Sequence, residues 1–187
     1  MQLDTDDLAT MDITAIQAAL KATTDERTRQ QLIVNAPFEY KVATALLFLG
    51  IVVLLKVDDD GQNISRIALS NTELAQNTTE VSYVPFNEIK IPLDHPENII
   101  STAIRTGEPQ DTIDWKFLFE PALTPEQARI NQASGGIAYS AVYPLVGVGK
   151  GAAMIFSYYQ YMQHIGSSQH EFMKRYSQLV ASVLATD

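Results

Sequence analysis

The interval between apolar residues changes twice along the chain. Leu8, Met11, Ala15, Ala18 and Ala19 recur at helical spacing, with Ile16 and Leu20 beside them, which predicts a helix over 7–22 with Asp7 as its cap. A second helix is predicted over 24–35, where Thr24, Asp25 and Glu26 put acceptors and negative charge at the positive end of the helix dipole. Pro37 breaks or restarts the pattern, and a third helix is expected over 38–49, stopping at Gly50. The period then shortens. Ile51, Val52, Val53, Leu54, Leu55 and Val57 are nearly continuous and rich in β-branched residues, as in a strand covered on both faces. Asp58, Asp59, Asp60 and Gly61 form a turn, and 64–70 alternates. Ile64, Arg66 and Ala68 are expected on one face, with Ser65, Ile67 and Leu69 on the other.

After this hairpin, 71–84 is irregular. A short strand is expected in 85–93, then a helix capped by Asp94 with Glu97 three positions on, ending at Gly107. Residues 110–115 can form another short strand. Thr124, Pro125 and Gln127 are a helix start. Residues 137–146 and 152–159 flank a Gly147–Gly151 turn and read as a second hairpin. In the first of these strands, Ala138, Ser140, Val142 and Pro144 oppose Tyr139, Ala141, Tyr143 and Leu145. The last helix is expected to be capped by Ser168 with Glu171 three on, and its stripe is Phe172, Met173, Tyr176, Leu179, Val180, Val183 and Leu184. Two hairpins imply antiparallel pairing, and helices precede and follow the strands, so the class is α+β with the terminal helices on one sheet face.

Composition narrows the function classes. The chain has 187 residues, 46% hydrophobic and 19% charged, which suits one globular domain plus a helical extension. The division expected is 1–36 as the extension and 37–187 as the domain. The net charge of -9 argues against binding nucleic acid or docking on an anionic membrane. Residues 58–126 carry the whole excess, with 13 acidic residues against Arg66, Lys90, Arg105 and Lys116. That run is a solvated face or, alternatively, a pocket rim that favours cations. The absence of cysteine excludes disulfides, thiolate metal sites and a cysteine nucleophile. The start of the chain is acidic, unlike a secretory signal, and the longest apolar run, 42–55, is shorter than a membrane span needs. The expectation is a cytoplasmic protein, in which the sequons at Asn63 and Asn77 are only polar turns.

Several pieces in order resemble a GAF domain over 37–184. They are the strand–turn–strand around Asp58–Gly61, the Arg105-Thr106-Gly107-Glu108-Pro109 step, and Ser140-Ala141-Val142-Tyr143-Pro144-Leu145 followed by Gly147 and 151–156. The last is the helix beginning near Glu171 and Phe172. The resemblance is to sensory modules of bacterial signalling proteins, such as those before histidine kinase cores. It implies an antiparallel sheet of about six strands, with N- and C-terminal helices on one face and a pocket on the other, roofed by 75–86 and 115–134. It also implies a homodimer paired through terminal helices and a kinase or other output domain as partner. No output segment is readable in the chain, which is therefore a piece of a longer signalling protein or a stand-alone regulator.

The departures from the family are chemical. Bilin-binding relatives attach the chromophore through cysteine, and the free methionine sulfoxide reductase branch uses redox cysteines; this chain has neither. The cyclic-nucleotide signature is missing, since the one Asp-Glu pair, Asp25-Glu26, precedes the domain. His95, His164 and His170 have no metal-ligand spacing, and a single haem-ligating histidine has no supporting motif. The Asp58–Gly61 turn lacks the rest of a calcium loop, the Gly147–Gly151 turn lacks a phosphate-loop pattern, and Ser140 lacks a nucleophile-elbow context. No cofactor, metal or catalytic set is expected.

Aromatic residues suggest the ligand-binding surface. The candidate lining is Phe86, Trp115, Phe117, Phe119, Tyr139, Tyr143, Met154 and Phe156, which would suit a planar or apolar small molecule. The same side chains serve equally as core. The functional expectation is a non-enzymatic sensor whose ligand is coupled to the terminal helices. The alternative is a degenerate fold with a filled pocket, used for dimerisation or protein docking.

Overall fold

The computed structural model describes residues 13–39, 48–159 and 165–185. Among the described residues two helices come first, α1 (Ile13–Ala22) and α2 (Glu26–Glu39). The hairpin of β1 (Leu49–Val57) and β2 (Asn63–Leu69) follows, then α3 (Glu73–Glu80), a 3₁₀ turn (Phe86–Glu88) and β3 (Lys90–Pro92). Next are α4 (Ile99–Thr106), β4 (Gln110–Thr112), and the helices α5 (Lys116–Phe119) and α6 (Pro125–Ser134). The chain closes with β5 (Ile137–Pro144), β6 (Ala152–Tyr159) and α7 (Ser167–Leu184).

The six strands form one antiparallel sheet in the order β3-β2-β1-β6-β5-β4. Each hairpin occupies one half, and the first and last long strands meet at the centre, where Val52 opposes Phe156 and Leu54 opposes Met154. Alternation along these central strands sends side chains into two separate cores. Val52, Leu54, Met154, Phe156 and Tyr158 face α1, α2 and α7. Ile51, Val53, Leu55, Ala153 and Ile155 face the roof built from α3 to α6. This is the α+β arrangement expected, with terminal helices on one side and short helices and loops over the other.

The helical layer departs from expectation at Pro37. The helix does not break there: α2 continues to Glu39. Proline has no N–H to give to the carbonyl four residues back, which is that of Ile33. The Tyr176 hydroxyl of α7 donates to that carbonyl at 2.7 Å instead. The ring of Tyr176 is stacked on Phe172 and set edge-on to Phe156, so the bond comes from a fully buried anchor. Asp25 caps α2, its Oδ1 accepting from the Thr28 N–H at 2.8 Å.

Other boundaries shift for local reasons. Gly50 does not end a helix but sits inside β1. A Cβ there would lie 2.8 Å from both Leu74 and Tyr159, so the glycine admits α3 against the strand. The helix assigned to Asp94 begins later, because Asn98 offers the better cap: its Oδ1 accepts from the N–H groups of Ile100 and Ser101. The final helix starts at Ser167 rather than being capped by Ser168, and Gln169 Oε1 accepts the Gly166 N–H. Residues 71–84, expected to be irregular, contain α3, capped by Thr72, whose hydroxyl also donates to the Gly50 carbonyl at 2.7 Å. The α6 start forms as expected, with Thr124 and Gln127 exchanging reciprocal bonds. The Asp7 cap, the 40–47 part of the expected third helix, and His164 lie outside the described residues.

Candidate functional site

On the roof side, a cavity of about 40 Å³ lies between the sheet and the loops. Its floor is Ile51 and Val53 of β1, Arg66 and Leu69 of β2, and Ile155 and Ser157 of β6. Thr78, Ser82 and Phe86 close it from one roof segment, and Trp115, Leu118, Phe119 and Asn131 from the other.

A β-bulge decides which side chains of β2 reach this cavity. Leu54 pairs with Ala68 and Leu55 with Arg66, so Ile67 is the extra residue. The expected alternation therefore fails after Arg66. Ile67 and Ala68 both pack on the helical side, whereas Arg66 and Leu69 both line the cavity. Without the bulge, Leu69 would fall on the face opposite Arg66.

Arg66 is the site's unusual residue. It is only 5% exposed, and its Nη1 has no hydrogen-bond partner among the described residues. Nη2 donates to the Leu118 carbonyl at a long 3.4 Å, and the guanidinium carbon sits 4.4 Å from the centre of the Phe119 ring. Burial pulls its pKa down to about 9, which leaves it cationic at neutral pH. Among the described residues no carboxylate pairs with it. Asn131, 2% exposed, is similarly half-used. Its Nδ2 donates to Ser82 Oγ at 3.1 Å, but its Oδ1 accepts from no group among the described residues.

The walls are held by satisfied polar pairs. Trp115 Nε1 donates to Ser140 Oγ at 2.8 Å, and Ser140 Oγ lies 2.7 Å from Ser157 Oγ. Gln132 accepts the Trp115 N–H and donates to the carbonyls of Ile113 and Ile137, pinning the Trp115 segment to α6 and the start of β5. These bonds fix the indole as a wall.

The aromatic lining expected from sequence divides between the two cores. Phe86, Trp115 and Phe119 line the cavity. Phe117 is half-buried, with the Lys116 ammonium 4.3 Å over its ring. Tyr139, Tyr143, Met154 and Phe156 belong to the helical layer, where Phe156 lies edge-on to Tyr143, Phe172 and Tyr176. There burial, followed by the charge of Asp111, raises the phenol pKa values of Tyr139 and Tyr143. The aromatic pattern of the sequence does not point to Arg66 or Asn131. The usable signal was an arginine in phase with Ile64 on a strand beside the most apolar segment of the chain.

No family model matches the chain, and none of the curated proteins matches its sequence. Solved structures do match. The GAF domain of a phosphoenolpyruvate-protein phosphotransferase from Coxiella burnetii superposes with a TM-score of 0.64 at 14% identity, over 98% of this chain and 96% of that one. The chain has the GAF fold. Two further structures with this fold illustrate its range. Free methionine-R-sulfoxide reductase from Neisseria meningitidis, in complex with its substrate, gives a TM-score of 0.62 at 11% identity, covering 98% of this chain and 92% of that one. The phycoerythrobilin-bound GAF domain from a cyanobacterial phytochrome gives 0.58 at 14% identity, covering 99% and 96%. At these identities the likeness concerns the GAF fold alone. Among the described residues no helix is long and apolar enough to cross a membrane, and no cluster of three or more His, Asp or Glu could hold a metal ion.

Proposed function

We propose that this protein is a non-enzymatic, small-molecule-sensing GAF module of a bacterial signalling protein, with its ligand in the roof-side cavity. The observation that carries the reading is a buried cation, with an N–H unpartnered among the described residues, in the lining of a partly open, mostly apolar space. A buried polar group without a partner costs free energy, and a ligand that completed its bonds would recover it. The sheet supplies the link to the helices. In β6, Ile155 and Ser157 line the cavity, whereas Met154, Phe156 and Tyr158 pack under α7 and its neighbours. A ligand that shifts β6 or orders the roof changes the surface on which the terminal helices rest, and so biases an output domain. Native mass spectrometry of the purified protein, with thermal melts across a metabolite panel, tests this reading. A bound small molecule or a specific stabilisation supports it; apo protein with no stabilisation across the panel contradicts it.

The cavity volume favours a second reading. About 40 Å³ is far below the roughly 300 Å³ of a drug-sized ligand site. A filled domain of this kind would serve as a dimerisation or docking module through its terminal helices. It predicts that removing residues 1–35 abolishes self-association and leaves the sheet folded.

A further inference from the structure

We infer that the cavity is a site for a small monocarboxylate, whose carboxylate pairs with Arg66 and whose hydroxyl donates to Asn131. The inference rests on the sensing role proposed above and specifies its ligand class. A guanidinium this buried is normally matched by a carboxylate, because an uncompensated buried charge is strongly destabilising. Here, among the described residues, its partners are one long bond to the Leu118 carbonyl and the face of Phe119. Neither neutralises it, and Nη1 is left free. A carboxylate supplies the missing charge and accepts from the planar fork in two places.

The rest of the cavity defines the body of the ligand. Its surface is mostly Ile, Val, Leu, Phe and Trp, which suits a short hydrocarbon chain, and its volume admits only a few heavy atoms. The unused Asn131 Oδ1 is an acceptor, so the ligand carries a donor as well. A hydroxyl suits that place better than an ammonium group, since among the described residues no Asp or Glu lines the cavity to balance a second cation. The class is therefore a short 2-hydroxy acid. Nucleotides are far too large, and a second carboxylate would go unpaired, since Arg66 is the one cation among the described lining residues.

The test uses the whole chain with glycolate, lactate and lactamide, the last a neutral copy of lactate. At about 10 mM, one of the two acids is expected to raise the Tm by roughly 3 °C or more, and lactamide is expected to have no effect. Arg66→Met keeps an unbranched apolar stem and removes the charge. It is expected to melt at or above the wild-type temperature without ligand and to lose the response to acids. Asn131→Leu is expected to weaken the hydroxy acid about tenfold and leave propionate unchanged. Equal responses to lactate and lactamide, or an Arg66→Met protein that still responds to the acids, would overturn the assignment. So would an Arg66→Met protein of lowered Tm together with a wild type indifferent to the acids, which would make Arg66 a brace for Leu118 and Phe119. If neutral metabolites stabilise the protein and the acids do not, the carboxylate class fails and the sensing role stands. If nothing stabilises it, both fail.

Discussion

Replacing Tyr176 with phenylalanine removes one oxygen and leaves the ring stack with Phe172 and the edge contact with Phe156 in place. What is lost is the 2.7 Å bond to the Ile33 carbonyl, in a site where Ile33 and Tyr176 are both fully buried. That carbonyl cannot turn to its helical partner, because position 37 is proline. An unsatisfied buried acceptor costs about 1–3 kcal/mol. Taking about 2 kcal/mol, Tyr176→Phe should lower the Tm by roughly 4–8 °C for a chain of this length. The specific test is a double-mutant cycle with Pro37→Ala, measured by urea unfolding. Alanine restores an N–H at position 37, which can take the Ile33 carbonyl for itself. Tyr176→Phe should then cost at least about 1 kcal/mol less in the Pro37→Ala background than in the wild type. Equal costs in the two backgrounds would refute the argument that the hydroxyl replaces the bond proline cannot make.

Two further predictions concern the edges of the sheet. Gly151 holds a φ of +134°, and a Cβ there would lie 2.7 Å from Ile104 and 3.0 Å from Val57, so Gly151→Ala should destabilise the protein by about 2 kcal/mol or more in urea unfolding. Asp58 and Asp114 share an acid dependence. Bonds from Ser65 and Lys90 hold the Asp58 carboxyl below its ordinary value of 3.8. At Asp114 burial pushes upward, but Arg129 and the Lys116 N–H outweigh it and leave that carboxyl lowered too. Carboxyls depressed in the folded state stabilise above the unfolded value and lose that contribution as the pH falls through the folded one. The Asp58→Asn/Asp114→Asn protein should therefore lose less stability than the wild type on acidification below about pH 4, with a difference of about 1 kcal/mol or less for such exposed pairs.

Much of the architecture was legible because the apolar pattern is regular where the sheet is central. Residues 51–57 and 152–159 read as strands and are strands, and the Tyr139-to-Leu145 alternation assigns the faces of β5 as the structure has them. Which face met the roof was not legible. Tyr139, Tyr143, Met154 and Phe156 are expected with Phe86, Trp115, Phe117 and Phe119 in one lining, but they pack in the helical layer, since aromatic bulk suits a core as well as a pocket. The Ile67 bulge was also invisible, because a single inserted residue leaves the composition of a strand unchanged and alters only its phase. The continuation of α2 through Pro37 depends on Tyr176, far away in sequence, and no local rule contains such a partner.

The central claim is that a ligand enters on the roof side, against Arg66, and not among the helices. Methyl-resolved NMR during a titration with lactate tests it directly. The account predicts the largest shifts at Ile51, Leu69, Ile89, Leu118 and Ile155, with smaller ones following at Met154 and Val180 beneath the helices. Largest shifts at Met154 and Val180, with the roof-side methyls unmoved, would contradict it.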